Sequence, residues 1–269
     1  MEGCSRALVA AFGLLVLLFL PLSQAWSEEG SSTSDELSNA PDPKQLIAAA
    51  IDLTRGTRSY AELSMVIHRP TWERRSSIVA WTRGREDALI RFVAPPRDAG
   101  NAMLKTDESM WTFAPQINRV VRLPYSMMSQ GWAGSDFSYN DLSRTDQLLK
   151  DYDLALVLVS SRDNHQVYRI EATPRDDAAV VWGREDLLLR DDAVVLEHTF
   201  LDQALAPVKR LEARAVGTLG GRTFATRIRM TDLESNEHWT EVEYTRADFD
   251  VALDDALFTV FSLQSGRAP

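Results

Sequence analysis

Cysteine occurs once in this chain, at Cys4. That position lies ahead of an unbroken apolar run over residues 7–20, and Ser23-Gln24-Ala25 then offers the small residues a signal peptidase requires. Residues 1–25 therefore read as a cleaved signal peptide, with an uncleaved anchor as the alternative. Cleavage after Ala25 leaves no cysteine, which excludes disulfides and cysteine-held metals. A lipoprotein cysteine would follow the apolar run rather than precede it. The run is shorter than the roughly 20 residues that span a bilayer, and no later segment is long and apolar enough to do so.

Histidine is also scarce, and His68, His165, His198 and His238 are scattered, with no pair at zinc-ligand spacing. Glycine-rich phosphate loops, Gly-x-Ser-x-Gly elbows and His-Glu-x-x-His helices are missing. Two carboxylates could still meet across a barrel, as glycosidase chemistry would need. With no other starting point for an active site, the expectation is no enzyme, no metal and no cofactor. Lysine is confined to Lys44, Lys105, Lys150 and Lys209, and the other basic residues are arginine. Acidic residues outnumber basic ones by 39 to 29, for a formal charge of -10, which argues against nucleic acid or anionic headgroups as the main partner.

What remains is strand text. Residues 26–41 are rich in Ser, Glu and Asp and read as a disordered linker. Asp42-Pro43 makes a helix start, Leu46, Ile47, Ala50 and Ile51 recur at helical spacing, and Gly56 suits the stop. With one apolar stripe, this helix should lie on or inside a sheet. From Tyr60 the period becomes two, with Ala61, Leu63, Met65 and Ile67 alternating against Glu62, Ser64, Val66 and His68. Further strands are predicted over 76–82, 87–93, 102–106, 109–114, 119–123, 152–159, 167–173, 179–184, 187–190, 194–202, 209–218, 222–232 and 238–245, and a short helix over 141–151. Strands joined by short turns with so little helix imply a mainly β fold. The expected form is an antiparallel meander curled into one sheet or half-closed barrel, favoured over two domains. A turn or short helix over 253–258 is expected to pack on the barrel mouth.

Residues 123–142 fit neither strand nor long helix. Gly131 and Gly134 permit unusual backbone, yet Tyr125, Met127, Met128, Trp132, Phe137 and Tyr139 bring more apolar surface than a solvated loop needs. Two readings stand. In one, the aromatics plug an end of the barrel. In the other, the segment is a movable lid whose flexible thioethers repack against varied ligands.

An ordered set of residues carries a resemblance. Trp72-Glu73-Arg74, Ala80-Trp81, Ile90-Arg91-Phe92 and Pro95-Pro96-Arg97-Asp98-Ala99-Gly100 come first. Leu104-Lys105, Met110-Trp111, Arg119-Val120-Val121-Arg122-Leu123, Met127-Met128 and Gly134-Ser135-Asp136-Phe137 follow. Together they resemble the outer-membrane lipoprotein-sorting, LolA-like family of Gram-negative periplasmic proteins, over about residues 42–263. The resemblance implies an unclosed antiparallel β-barrel, a curved sheet with a few helices over its concave face, in a domain at 42–263 with a flexible tail at 264–269. It implies a periplasmic carrier whose apolar interior holds the acyl chains of a lipoprotein or another lipid in transit to the outer membrane.

The family's lipoprotein carrier latches its lid with an arginine, a role the sequence assigns to no one residue here. Leu63, Met65, Ile67, Met103, Trp111, Phe113, Met127, Met128, Trp132 and Phe137 are the candidate cavity and lid residues. The chain is expected to be a monomer, with lipid or lipoprotein acyl chains as partners and an inner-membrane transporter as a candidate further one. The rival reading is a non-catalytic interaction or sensor module, or an accessory of an RND-type export system.

Overall fold

Thirteen strands make one sheet, and the chain enters it in the middle. The computed structural model describes residues 37, 39–107, 109–143, 146–178, 180–235 and 237–265. The expected signal peptide, most of the linker and residues 266–269 of the tail lie outside them. From β1 (Arg58–Arg69), strands β2 (Trp72–Arg83), β3 (Asp87–Ala94), β4 (Ala102–Thr106), β5 (Ser109–Ala114) and β6 (Arg119–Arg122) step outward to one edge. The chain then crosses to the far edge and returns inward. This return runs through β7 (Tyr152–Arg162), β8 (His165–Pro174), β9 (Arg184–Arg190), β10 (Val195–Leu201), β11 (Pro207–Leu219), β12 (Arg222–Asp232) and β13 (Trp239–Phe249). β13 pairs with β1, so first and last strands are neighbours, and β6 and β7 are the unjoined edges of an open sheet. Every pairing is antiparallel, and bulges interrupt β3, β7, β10, β11, β12 and β13. Each bulge adds local twist and bend, which lets so long a sheet curl.

Ahead of the sheet, helix α1 (Pro43–Arg55) starts where the sequence places it. Asp42 Oδ1 accepts from the Lys44 N–H at 2.9 Å, and Gly56 ends the helix at φ 59°. The apolar stripe of α1 puts Leu46 and Ile47 against Tyr152, Ile170, Leu187 and Leu189 of β7–β9.

The β1–β5 half of the sheet is buried on both faces, so β4 has four buried residues in succession. On the inner face Met65, Ile67, Ile78, Phe92, Met103 and Met110 pack beneath the crossover. On the outer face Trp81, Leu89, Ala102, Leu104 and Phe113 are covered by Leu257, Phe258 and Leu263 of the C-terminal segment. That segment is a 3-10 turn (Asp255–Phe258) and helix α4 (Val260–Ser265), and it does not sit on the barrel mouth as the sequence suggested. Arg91 explains the difference. It is buried in the outer face and donates to the carbonyls of Ser262 and Leu263, at 3.0 and 3.4 Å, which fastens α4 there. Among the described residues no helix is long and apolar enough to cross a membrane.

Two further expectations need correction. Of the strand expected over 179–184, residues 180–183 form a loop leading to Arg184, where β9 begins. Gly183 there lies so close to the Asp202 carbonyl that a Cβ would stand 2.2 Å from its oxygen, and Trp182 turns inward singly rather than within a ladder. The helix expected over 141–151 is two short helices, α2 (Tyr139–Ser143) and α3 (Gln147–Asp151).

Candidate functional site

The crossover from β6 to β7 has a hairpin-like core of its own. The Trp132 N–H donates to the Phe137 carbonyl at 2.7 Å, Tyr139 N–H to Gln130 at 3.1 Å and Asn140 N–H to Met128 at 2.7 Å. Ala133 and Gly134 both adopt positive φ to make the reversal, at 51° and 73°. This fold of the segment sends Met127, Met128 and Trp132 one way, onto the inner face of β1–β5, and Phe137 the other way, toward Phe200 and Met230 of β10 and β12.

Two polar fastenings hold it down. Arg69, at the end of β1, donates Nη1 and Nη2 to Asp136 Oδ2 and Oδ1, both at 3.0 Å, and a longer bond to the Gly134 carbonyl. Asp136 also accepts from Thr240 Oγ1 at 2.6 Å, while its own N–H donates back to that hydroxyl at 3.0 Å. Arg74 adds a donor to the Ala133 carbonyl. Such a two-pronged guanidinium–carboxylate pair is directional as well as strong. On the far side Lys209 Nζ meets Asp141 Oδ2 at 2.5 Å and stands 4.9 and 4.7 Å from the Trp182 and Phe200 ring centroids. The Lys209–Asp141 pair is nearly water-free, so its attraction is little screened.

Beneath this roof lies a cavity of about 360 Å³. Its ceiling is Phe137 and Leu142 with Ile47, Ala50 and Ile51 of α1. Its floor is the inner face of β9–β13, where Leu187, Phe200, Leu211, Phe224, Ile228 and Met230 point upward. Few polar groups enter. His198 Nε2 pairs with Glu185 at 2.7 Å and its ring stacks on Phe200 at 4.1 Å. The Oδ1 of buried Asn140 accepts no hydrogen bond among the described residues. Enclosure pushes the Tyr244 phenol above its usual range, with the Arg55 guanidinium opposing. Burial also holds Arg55 itself down, although its Nε and Nη2 donate to the Gly84 and Asp87 carbonyls at 2.9 and 2.8 Å.

The candidate residues fall into three places. Met65, Ile67, Met103 and Trp132 are buried together, with Leu63, Met127 and Met128 packed on them, in a compartment filled by side chains. Phe137 alone of the ten lines the cavity. Trp111 and Phe113 belong to the outer face with Leu257 and Leu263, and so stand apart from both. Their register gives the reason: Met103 faces Thr112, while Leu104 faces Trp111 and Ala102 faces Phe113. The sequence reading passed over the β10–β13 lining. Its signal was the alternation of Phe224, Ile228 and Met230 along one strand.

Outside the cavity, His165, Asp191 and Asp192 converge closely enough to suggest a metal site. The Arg190 guanidinium already occupies the centre of that cluster, 2.7 Å from His165 Nε2 and 2.6 Å from Asp192 Oδ2, so it is a salt-bridge cluster.

A family model described as "Uncharacterized protein" matches residues 84–265. No curated protein matches the sequence significantly. Three solved structures share the fold. A DUF1329 family protein from Desulfovibrio piger is 23% identical with a TM-score of 0.73, over 83% of this chain and 100% of that one. A LolA superfamily protein from Nitrosomonas europaea is 19% identical with a TM-score of 0.69, over 83% and 100%. A putative outer membrane lipoprotein-sorting protein domain from Vibrio parahaemolyticus is 19% identical with a TM-score of 0.71, over 82% and 98%. With its model matched across residues 84–265, the chain belongs to that family described as uncharacterized protein, and its fold is LolA-like.

Proposed function

We propose that this protein is a non-catalytic periplasmic carrier that shields acyl chains of a lipid or lipoprotein during passage between membranes. The observation that carries the reading is the apolar cavity of about 360 Å³ roofed by a crossover that side-chain bonds, rather than a strand ladder, hold in place. Strand pairing makes β1–β13 one cooperative body, whereas the roof is fixed by Arg69, Arg74 and Lys209 and by the packing of Met127, Met128 and Trp132 on the inner face of β1–β5. A roof of that kind opens on the Phe137 side without breaking a strand ladder. Arg69 is the residue for the latch role that the sequence left unassigned.

Shielding has a clear energetic basis. Each methylene taken out of water contributes about 0.8 kcal/mol, and a chain of ten contributes ~8 kcal/mol before the cost of immobilising it. Release then requires only that the roof open. A signal peptide at 1–25 and a linker at 26–41 place the 42–263 domain in the periplasm in this reading. The experiment is native purification from a Gram-negative periplasm, followed by mass spectrometry of organic extracts. Acyl-chain lipid recovered in stoichiometric amount is the expected result. Protein that carries none, and takes up no fluorescent fatty acid afterwards, overturns it.

A further inference from the structure

The apolar cavity has two unlike ends. On β13, Thr240 joins the roof through Asp136, and Val242 and Tyr244 follow it on the inner face. Four residues of strand set Tyr244 about 13 Å beyond that fastening. There it stands edge-on to Phe224, with ring centroids 5.2 Å apart, on the cavity wall beside Leu53 and Thr54 of α1. The last turn of α1 is bound down over this end from two sides. Arg222 Nη1 donates to the Asp52 and Leu53 carbonyls at 2.9 and 3.2 Å, and Arg55 donates to the Gly84 and Asp87 carbonyls.

The charged groups nearer the roof answer one another. Asp141 is held by Lys209, and Glu185 by His198. Asn140 Oδ1 keeps almost no accessible surface, so it does not face the cargo.

Tyr244 differs from these. Burial keeps its phenol protonated, and the charge that acts on it is the Arg55 guanidinium. The carbonyls that Arg55 binds are neutral and leave that charge in place. The carboxylates in its field are each held by another cation: Asp87 by Arg83, Glu86 by Lys105 and Lys150, and Asp146 by Lys150. Among the described residues the Tyr244 hydroxyl has no hydrogen-bond partner, and a buried donor left unpaired is costly. A donor backed by a cation in an apolar wall suits an oxygen anion. A methyl end in the same place would leave the hydroxyl unpaired.

We propose that the cargo is a free long-chain carboxylic acid bound carboxyl first. A carboxylate oxygen accepts from Tyr244 Oη near Arg55, and the chain runs back along β12 and β13 toward Phe137. This rests on the carrier reading and narrows it, because an acyl group already joined to a protein or a phospholipid head has no free carboxylate to bring to that end. Opening the roof then exposes the tail first.

The test titrates the purified protein and its Tyr244→Phe variant with dodecanoate and with dodecylphosphocholine, read by calorimetry. The second probe carries the same chain but offers only a methyl end to the cavity. Tyr244→Phe keeps the ring against Phe224 and removes one oxygen. Dodecanoate should bind the variant about tenfold more weakly, and dodecylphosphocholine should bind both proteins equally. Equal losses for the two probes would mean that Tyr244 acts through packing. An unchanged dodecanoate affinity would place the carboxylate elsewhere. Either result overturns the carboxyl-first assignment and leaves the carrier reading standing. Failure of both probes to bind the unaltered protein would overturn the carrier reading, and this assignment with it.

Discussion

Arg69 and Asp136, 67 residues apart in sequence, meet through two parallel hydrogen bonds of 3.0 Å. One belongs to the end of β1 and the other to the crossover, so this pair is where the roof is joined to the sheet. Removing one partner of a pair this enclosed leaves a buried charge, at a cost of about 3–5 kcal/mol for full burial and less here, where the arginine keeps some solvent. Arg69→Lys should keep the charge but lose the fork. Hydrogen exchange over residues 125–143 should accelerate in it, with protection of β1 and β13 retained. Equal loosening of roof and sheet would show that the crossover is part of the core.

Lys209 and Asp141 close the other side. Lys209→Met should destabilise by about 3–5 kcal/mol, because Asp141 is left charged with the Ser138 N–H as a donor but no cation among the described residues. The double change Lys209→Met with Asp141→Leu should recover most of that loss in urea midpoints. No recovery would mean that Lys209 acts through its packing between Trp182 and Phe200 rather than through its charge.

The filled and empty compartments should respond in opposite ways. Met127→Ser with Met128→Ser removes apolar packing above Met65 and Met103, and should lower stability by about 2–5 kcal/mol with little change in fatty-acid affinity. Ala50→Phe puts a ring into the cavity. It should abolish uptake while shifting the urea midpoint little. A thioether change that abolishes uptake at unchanged stability would move the binding site to the β1–β5 side.

Acid should loosen the C-terminal cover. Asp250 lies below its ordinary value of 3.8 because the Thr57 N–H and hydroxyl donate to it, and Asp255 because Arg83 does. A depressed carboxylate stabilises the folded state above its unfolded pKa, and that contribution is lost as the pH falls through the folded one. As the pH falls below the ordinary carboxylate value of 3.8, exchange should therefore rise first over residues 250–265. Asp255→Asn should show part of that rise at neutral pH. A pH-independent exchange rate in that segment would contradict the assignment.

Gly56 offers a local check. A Cβ there would stand 3.0 Å from Asp250 Oδ1 and 3.2 Å from Arg222 Nη2, at a φ of 59°. Gly56→Ala should lower the melting temperature through backbone strain, at a cost of about 1 kcal/mol or more. An unchanged melting temperature would mean that the turn after α1 relaxes freely.

The strands were legible because period-two alternation and short turns are local signals. Residues 102–106, 109–114 and 222–232 read from sequence match β4, β5 and β12 to the residue. Which face each strand turned inward was less so. Thr106 pairs with Ser109, and that count already sets Met103 against Thr112. Trp111 and Phe113 were grouped with Met103 on size and apolarity, without the count. The cavity was harder to read, since its walls come from α1, the crossover and β9–β13. No local pattern says that one stretch of an apolar inner face is filled by Trp132 and another left open.

The pairing of the first strand with the last has a consequence for how the molecule assembles. β1–β6 and β7–β13 are each a run of neighbouring hairpins, which form from contacts close in sequence. The β1–β13 ladder joins residues such as Ser59 and Phe249, whose meeting waits for nearly the whole chain. Loop-closure entropy makes that pairing the slow step. Until it forms, β1 has a bare edge of the kind that invites wrong partners. A chain made in order of its sequence therefore carries an unsatisfied strand from its first hairpin to its last. Pulse-labelling during refolding should find protection at β1's β2-facing amides well before those facing β13.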